Sequence, residues 1–259
     1  MQIQELRCFG EFPGDGNPAL VIEGDRAPEA ARQAFARERG TTCVFIDPRD
    51  ADVALDYFYP HMRSPLCLHA TLAAAHVLFA RQGSRAPVTV TTALRGQRLV
   101  LSRVGEDLFV RLDRHGAPQV DLDPGLPARL LAAPGLVPVS PPRLASVGSP
   151  KLLIEVADAD TLYALRPGLA LVGEWGKAHG VSGCYVYCRT GEDEYEGRNF
   201  NHLDPALEDS ATGVAAGALT AALGRGISLR QGKATGRACL IRTQVDGDAI
   251  LVGGRAEPA

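Results

Sequence analysis

Runs that alternate between apolar and polar residues, or are rich in β-branched ones, recur along the first half of the chain. They are "MQIQELRCFG" at 1–10, "ALVIEG" at 19–24, "CVFIDP" at 43–48, "VALDYFYP" at 53–60, "VTVTTAL" at 88–94, "QRLVLSRV" at 97–104 and "LFVRLD" at 108–113. A period of two predicts strands. Two stretches read as helices: "PEAARQAFARER" at 28–39, and the small apolar residues that follow His69 in "PLCLHATLAAAHVL" at 65–78. The segment 114–142, "RHGAPQVDLDPGLPARLLAAPGLVPVSPP", is rich in Pro and Gly and predicts a connector with at most one short helix. Beyond it the pattern resumes with strands "RLASVGS", "LLIEVAD", "CYVYCRT", "EGRNF", "CLIRTQV" and "AILVGG", and one strong helix, "TGVAAGALTAALG", ending at glycine. Domains are therefore expected at 1–115 and 143–259, joined by 116–142.

The second half repeats the first in outline. A constant shift of 141 residues superimposes "HMRSPLCLHATLAAAHVLFA" on "HLDPALEDSATGVAAGALTA". It pairs His61 with His202, Leu66 with Leu207, Ala70 with Ala211, Thr71 with Thr212, Ala74 with Ala215, Ala75 with Ala216 and Leu78 with Leu219. Ala-rich helices match one another easily, so the informative part is the shared approach to the helix: His, then Leu, then Ala-Thr. Duplicated halves are expected to face each other across a pseudo-two-fold cleft, each presenting a helix start. Unpaired N–H groups and a partial positive charge make such starts a seat for a carboxylate. The alternative is that Thr71 and Thr212 simply cap their helices.

Composition narrows the class. The 259 residues are 46% hydrophobic and 22% charged, with a net charge of −3; no basic stripe points to nucleic acid or an anionic membrane. No signal-peptide pattern or membrane-length apolar run is visible, so a cytoplasmic protein is expected. Six dispersed cysteines predict buried thiols rather than disulfides. Cys184 and Cys188 share a strand face, but no second pair or nearby histidine completes a zinc site.

Five stretches in order, "GDGNPALVI" (14–22), "RGTTCVFI" (39–46), "YFYPHMRSPLCLHATLAAAHVL" (57–78), "GSPKLLIEV" (148–156) and "FNHLDPALEDSATGVAAGAL" (200–219), resemble the PhzF-like branch of the diaminopimelate epimerase-like superfamily. The resemblance implies an α+β fold of two similar domains, each a β-barrel-like sheet wrapped around a central helix. It also implies a homodimer, no metal or organic cofactor, and a small carboxylate-bearing substrate. The family histidine of "CGHAT" falls on His69 and the aspartate of "EDPATGSA" on Asp209. Asn17, Gly40, Thr41, Leu68, Ala70, Thr71, Ser210, Thr212, Gly213 and Val214 occupy positions implied to line the substrate.

Three positions depart from the family pattern. Gly40 stands where a proton-shuttling glutamate precedes "TTFV", Leu68 replaces the glycine of "CGHAT", and Val214 replaces a serine. Glu38 lies two residues before Gly40, which on a helix points it more than half a turn away. Proton transfer then falls to Asp209 and His69, one taking and one returning a proton, while backbone N–H groups near Thr71, Gly213 and Val214 hold a carboxylate. Burial would raise an Asp209 pKa and a helix start would lower it; the histidine starts near neutrality. The bland alternatives are a core histidine for His69 and an N-cap for Asp209.

Racemases of the superfamily use one cysteine from each half. Here the shift pairs Cys67 with Glu208 and Leu68 with Asp209, which favours an asymmetric isomerase, with Cys67 as second base keeping racemisation open. Leu68 and Val214 make the expected pocket more apolar than in the dihydro-hydroxyanthranilate isomerases of phenazine synthesis. By the same resemblance, the PhzF-like isomerases of 4-alkylproline antibiotic pathways, which act on unsaturated cyclic amino acids, are the better analogy, and a catalytically silent carboxylate binder is the remaining class. "EDSATG" is not a G-x-S-x-G elbow, "GISLRQGKA" has the wrong spacing for a phosphate loop, and "GEDEYEG" reads as a solvated acidic turn.

Overall fold

The computed structural model describes all residues except 49–52, 84–85 and 202–207, so His202 and Leu207 of the repeat lie outside the described residues. Two compact units form, one from Met1–Arg111 with Gly253–Ala259 and one from Leu112–Val252. Unit 1 contains β1 (Gln2–Cys8), β2 (Asn17–Glu23), α1 (Glu29–Arg39), β3 (Thr42–Pro48), β4 (Val53–Phe58), β5 (Arg63–Ser64), α2 (Leu68–Gln82), β6 (Val88–Thr92), β7 (Arg98–Val104) and most of β8 (Asp107–Asp113). Unit 2 contains α3 (Leu126–Leu130), β9 (Arg143–Ala145), β10 (Lys151–Glu155), α4 (Ala159–Ala164), α5 (Leu169–His179), β11 (Cys184–Arg189), β12 (Glu194–Phe200), α6 (Gly213–Leu223), β13 (Ser228–Gln231), β14 (Cys239–Asp246) and most of β15 (Ala249–Gly254). The last strand, β16 (Ala256–Pro258), returns to unit 1 and pairs with β1.

Both units follow one pairing plan. In unit 1, β2 runs parallel to β3, β3 antiparallel to β4, β4 parallel to β6 and β6 antiparallel to β7. In unit 2, β10 runs parallel to β11, β11 antiparallel to β12, β12 parallel to β13 and β13 antiparallel to β14. Each parallel step needs a crossover, and helices fill it at the same places: α1 and α2 in unit 1, α4 with α5 and then α6 in unit 2. The duplication seen in the sequence is thus a duplication of topology.

The second crossover helix of each unit is its centre. Eleven of the fifteen residues of α2 are buried, on every side, as expected for an Ala-Leu helix with no polar stripe. It lies against β1, β2, β3, β4, β6 and β16. The helix α6 packs against β9, β10 and β14, and its Gly217 gives way to Val147 and Val252, which a Cβ there would strike. Left-handed glycine caps, Gly83 and Gly224, end the two helices and are separated by the same 141 residues as the sequence repeat.

Three features differ from expectation. Segment 116–142 is part of unit 2, because Leu122, Leu126, Leu130, Leu131, Ala133 and Leu136 pack into its core cluster. Residues 253–259 belong to unit 1, held by the β1–β16 ladder and by Phe9 N–H donating to the Arg255 carbonyl at 2.8 Å. Helices α4 and α5 were not expected: Pro167 and Gly168 interrupt their apolar pattern, and Gly173 and Gly176 of α5 are buried packing positions rather than breaks. All six cysteines are buried thiols.

Candidate active site

Helix α2 begins earlier than the sequence suggested. Its N-cap is Cys67, so His69 and Thr71 lie inside its first turns, and Thr71 is not a cap. The Thr71 N–H closes on the Cys67 carbonyl at 2.8 Å and its hydroxyl donates to the same oxygen at 2.7 Å. That N–H is therefore spent within the helix and does not hold a carboxylate, contrary to expectation. The Tyr57 phenol, kept neutral as burial pushes its pKa up, meets the Thr71 hydroxyl at 2.8 Å. The Cys67 thiol lies 3.3 Å from His69 Nδ1, with both residues buried, forming a thiol–imidazole pair. Leu68 is buried beside them.

Unit 2 builds its helix start differently. Thr212 occupies the N-cap of α6, but its hydroxyl donates to Asp209 Oδ2 at 2.6 Å instead of accepting from the helix backbone. Gln231 of β13 braces this turn: its Nε2 donates to the Asp209 carbonyl at 2.7 Å and to the Thr212 hydroxyl at 3.1 Å, and its Oε1 accepts the Thr212 N–H at 3.3 Å. Asp209 thus precedes the helix and is not its N-cap. At the first helical positions, Gly213 and Val214, no backbone N–H has a carbonyl partner among the described residues. Glu208 is bound by Arg198 through two contacts of 3.0 and 2.8 Å, and Arg198 also donates to the carbonyls of Leu162 and Leu165. Ser210 meets the Thr235 hydroxyl at 2.8 Å.

Strand register shows what lies under each helix start. Leu20, Cys43 and Phe58 stand side by side in unit 1 and pack with α1; Leu152, Cys184 and Phe200 stand side by side in unit 2 within the cluster that includes α3–α5 leucines. Alternation places their neighbours on the opposite face. Those neighbours are Ala19, Val21, Val44 and Tyr57 in unit 1, and Lys151, Leu153, Tyr185 and Asn199 in unit 2. The second set is tied to the start of α6, because the Tyr185 hydroxyl donates to Gln231 Oε1 at 3.0 Å and Asn199 forms a backbone bridge with Asp209.

Lys151 is 1% exposed and donates to the Ser182 carbonyl; burial drives its pKa down to about 8, with the Asp209 and Cys184 side chains pulling it back up. Lys151, Asn199, Gln231 and Tyr185 were missed in the sequence. The available signal was the lysine opening an otherwise apolar strand in "GSPKLLIEV", in a chain with three lysines and twenty-four arginines.

The remaining expected residues sit at one end of unit 1. Asn17 opens β2, Gly40 and Thr41 join α1 to β3, and the end of β4 leads to α2 at that same end, since Cys43 faces Phe58. Gly40 is the left-handed C-cap of α1, with φ 62° and its N–H on the carbonyls of Ala36 and Arg37. Position 40 is therefore a helix terminus, and Glu38 is exposed on α1. "GISLRQGKA" is strand β13 followed by a tight turn, with no phosphate-binding helix. In "GEDEYEG", Asp193 pairs with Arg225 and Glu194 with Arg230.

Known proteins place the chain in a family. A curated isomerase of Escherichia coli K12, "Uncharacterized isomerase YddE", is 30% identical over 85% of this chain and 78% of its own length. The structure of "a Predicted Epimerase PA4716" from Pseudomonas aeruginosa superimposes with a TM-score of 0.83 at 27% identity, covering 99% of this chain and 96% of that one. A hydroxyproline epimerase of Agrobacterium vitis shares the fold, with a TM-score of 0.65 at 14% identity over 100% of this chain and 89% of its own. The family model for phenazine biosynthesis-like proteins matches residues 6–258, and the chain, with its diaminopimelate epimerase-like fold, belongs to that family.

Proposed function

We propose that the protein is a cofactor-independent isomerase that moves a proton, and with it a double bond, on a small carboxylate-bearing substrate. The observation that carries this is the position of His69 and Asp209 at the starts of the two central helices, in a family whose curated relatives are named isomerases. Removing a proton from carbon needs a positioned base and a site that excludes water. Asp209, oriented by the Thr212 hydroxyl, takes the proton, and His69 returns it. The N–H groups of Gly213 and Val214 attract the carboxylate. Buried Leu68 and half-buried Val214 suit an apolar ring, so an unsaturated, proline-like carboxylate of secondary metabolism is the substrate class, of the 4-alkylproline type.

A second mode is favoured by one contact, the Cys67–His69 pair at 3.3 Å. It supplies a thiol that could serve as a base in racemisation at Cα.

Incubation in D₂O with proline-like dienyl carboxylates, dihydro-hydroxyanthranilate and amino acids separates these modes. Deuterium at one carbon with a shifted double bond is the expected result. Deuterium at Cα with inversion selects racemisation, and binding without any exchange identifies a silent binder and contradicts the proposal.

A further inference from the structure

A fully buried lysine in an arginine-rich protein needs an explanation. Arginine serves every buried ion pair described: Arg32 meets Asp25, Asp47 and Asp56, and Arg198 meets Glu208. Lys151 has no ion pair among the described residues, and of its three donor positions only one is used, on the Ser182 carbonyl. Asp209 acts on it electrostatically without forming an ion pair, and holding an ammonium by a single hydrogen bond is costly unless a further counter-charge arrives.

A second observation points to the same place. Asn199 is 0% exposed, and both its Oδ1 and its Nδ2 lack a hydrogen-bond partner among the described residues. Buried amides without partners are rare, and an unmet donor and acceptor together call for a polar ligand. Asn199 and Lys151 share the face of the sheet that carries α6, and the Asn199 backbone bridges to Asp209. The topologically equivalent positions of unit 1 hold Tyr57, satisfied by Thr71, and Ala19.

We propose that Lys151 and Asn199, together with the first N–H groups of α6, form an anchor for an anionic oxygen of the substrate, its carboxylate. The substrate's charge then answers the lysine, and the Asn199 amide donates a hydrogen bond to the same group. Anchored there, the substrate presents the carbon next to its carboxylate to Asp209. This rests on the isomerase assignment only for the role of Asp209. Because burial holds the amine near a pKa of about 8, an approaching carboxylate strengthens its hold on the proton.

Lys177 and Lys233 are exposed, so ¹³Cε-lysine labelling reports Lys151 as the one buried lysine signal, assigned with Lys151→Met. Pyrrole-2-carboxylate serves as the probe and pyrrole-2-carboxamide as its neutral control. The carboxylate is expected to shift the Lys151 signal and raise its apparent pKa, and the carboxamide to leave both unchanged. Lys151→Met is expected to weaken probe binding by about ten- to a hundredfold, the worth of one charge-assisted hydrogen bond. Asn199→Ala is expected to weaken it less. Binding that leaves the Lys151 signal unmoved, equal affinity in Lys151→Met, or no response to the carboxylate at saturating concentration overturns the anchor. Solvent exchange in D₂O fails independently: exchange retained with an unresponsive lysine removes the anchor alone, and a responsive lysine without exchange on any substrate removes the isomerase alone.

Discussion

The two central helices start in chemically different ways on one duplicated scaffold. At the start of α2 the polar groups satisfy one another: Tyr57 meets Thr71, Thr71 meets the Cys67 carbonyl, and Cys67 meets His69, over a sheet face of Ala19, Val21 and Val44. At the start of α6 a carboxylate stands before the helix, Gln231 spans the turn, and the sheet beneath carries Lys151 and an Asn199 whose amide has no hydrogen-bond partner among the described residues. The shared elements, strand order and glycine C-caps, are those that packing and backbone geometry require. A few positions at one end of each unit are released from that requirement, and there the halves diverge. A duplicated fold thereby carries two chemically different helix starts.

The largest expected effect tests this asymmetry in catalysis. Asp209→Asn and His69→Ala are each expected to cut product formation by about 10²–10⁴-fold, the range of a general acid or base, while far-UV circular dichroism stays that of the parent. Full activity in both would end the assignment.

Stability tests it next. Below pH about 8 Lys151 is protonated in both the folded and the unfolded chain; between about 8 and its ordinary value of 10.5 only the unfolded chain holds the extra proton. The contribution of this group to stability therefore rises with pH across that window. Lys151→Met is expected to be more stable than the ligand-free parent at pH 7 by about 1–3 kcal/mol, as replacements of buried charge by apolar groups often are. Denaturant unfolding at pH 7 and pH 10 should show that advantage shrinking. The same change at Ala19 in unit 1 removes no charge and is expected to overpack the core, with loss of stability.

Gly197 exists to admit Tyr185: a Cβ there would lie 2.2 Å from the Tyr185 hydroxyl. Gly197→Ala should cost about 1–3 kcal/mol and loosen the Gln231 brace, seen as a lower thermal midpoint together with weaker binding of a carboxylate probe. The equivalent change in unit 1, Leu55→Ala, should cost stability through a cavity without touching the α6 site.

The smallest effect concerns position 40, where the family resemblance implies a glutamate. Gly40→Glu puts a side chain on a left-handed residue and is expected to cost about 1 kcal/mol. It should leave solvent exchange no faster than in the parent, because position 40 is a helix cap. Faster exchange in this variant would show that a glutamate can act from that place.

Much of the fold was legible because strands with one buried face write a period of two into the sequence, and because "LHATLAAAHVL" and "TGVAAGALTAAL" are apolar all round. Helices α4 and α5 were hidden by Pro167, Gly168, Gly173 and Gly176, residues that usually interrupt helices. His69 and Asp209 were visible as polar residues at apolar helix starts. Lys151 and Asn199 were not, because their meaning depends on which sheet face they occupy, and one residue of register reverses the face. Helices α2 and α6, and β3 with β11, follow the 141-residue shift, whereas Phe58 matches Phe200, one residue further on. A constant shift therefore aligned Phe58 with Asn199 and concealed the correspondence of Tyr57 with Asn199.

The most direct test of an asymmetric site is to follow proton washout and product formation separately, in D₂O, for Asp209→Asn and His69→Ala on the same substrate. If Asp209 takes the proton and His69 returns it elsewhere, Asp209→Asn loses both washout and product, whereas His69→Ala keeps washout from the original carbon and loses product. Washout that survives in Asp209→Asn, or disappears equally in both variants, would contradict the division of labour between the two helix starts.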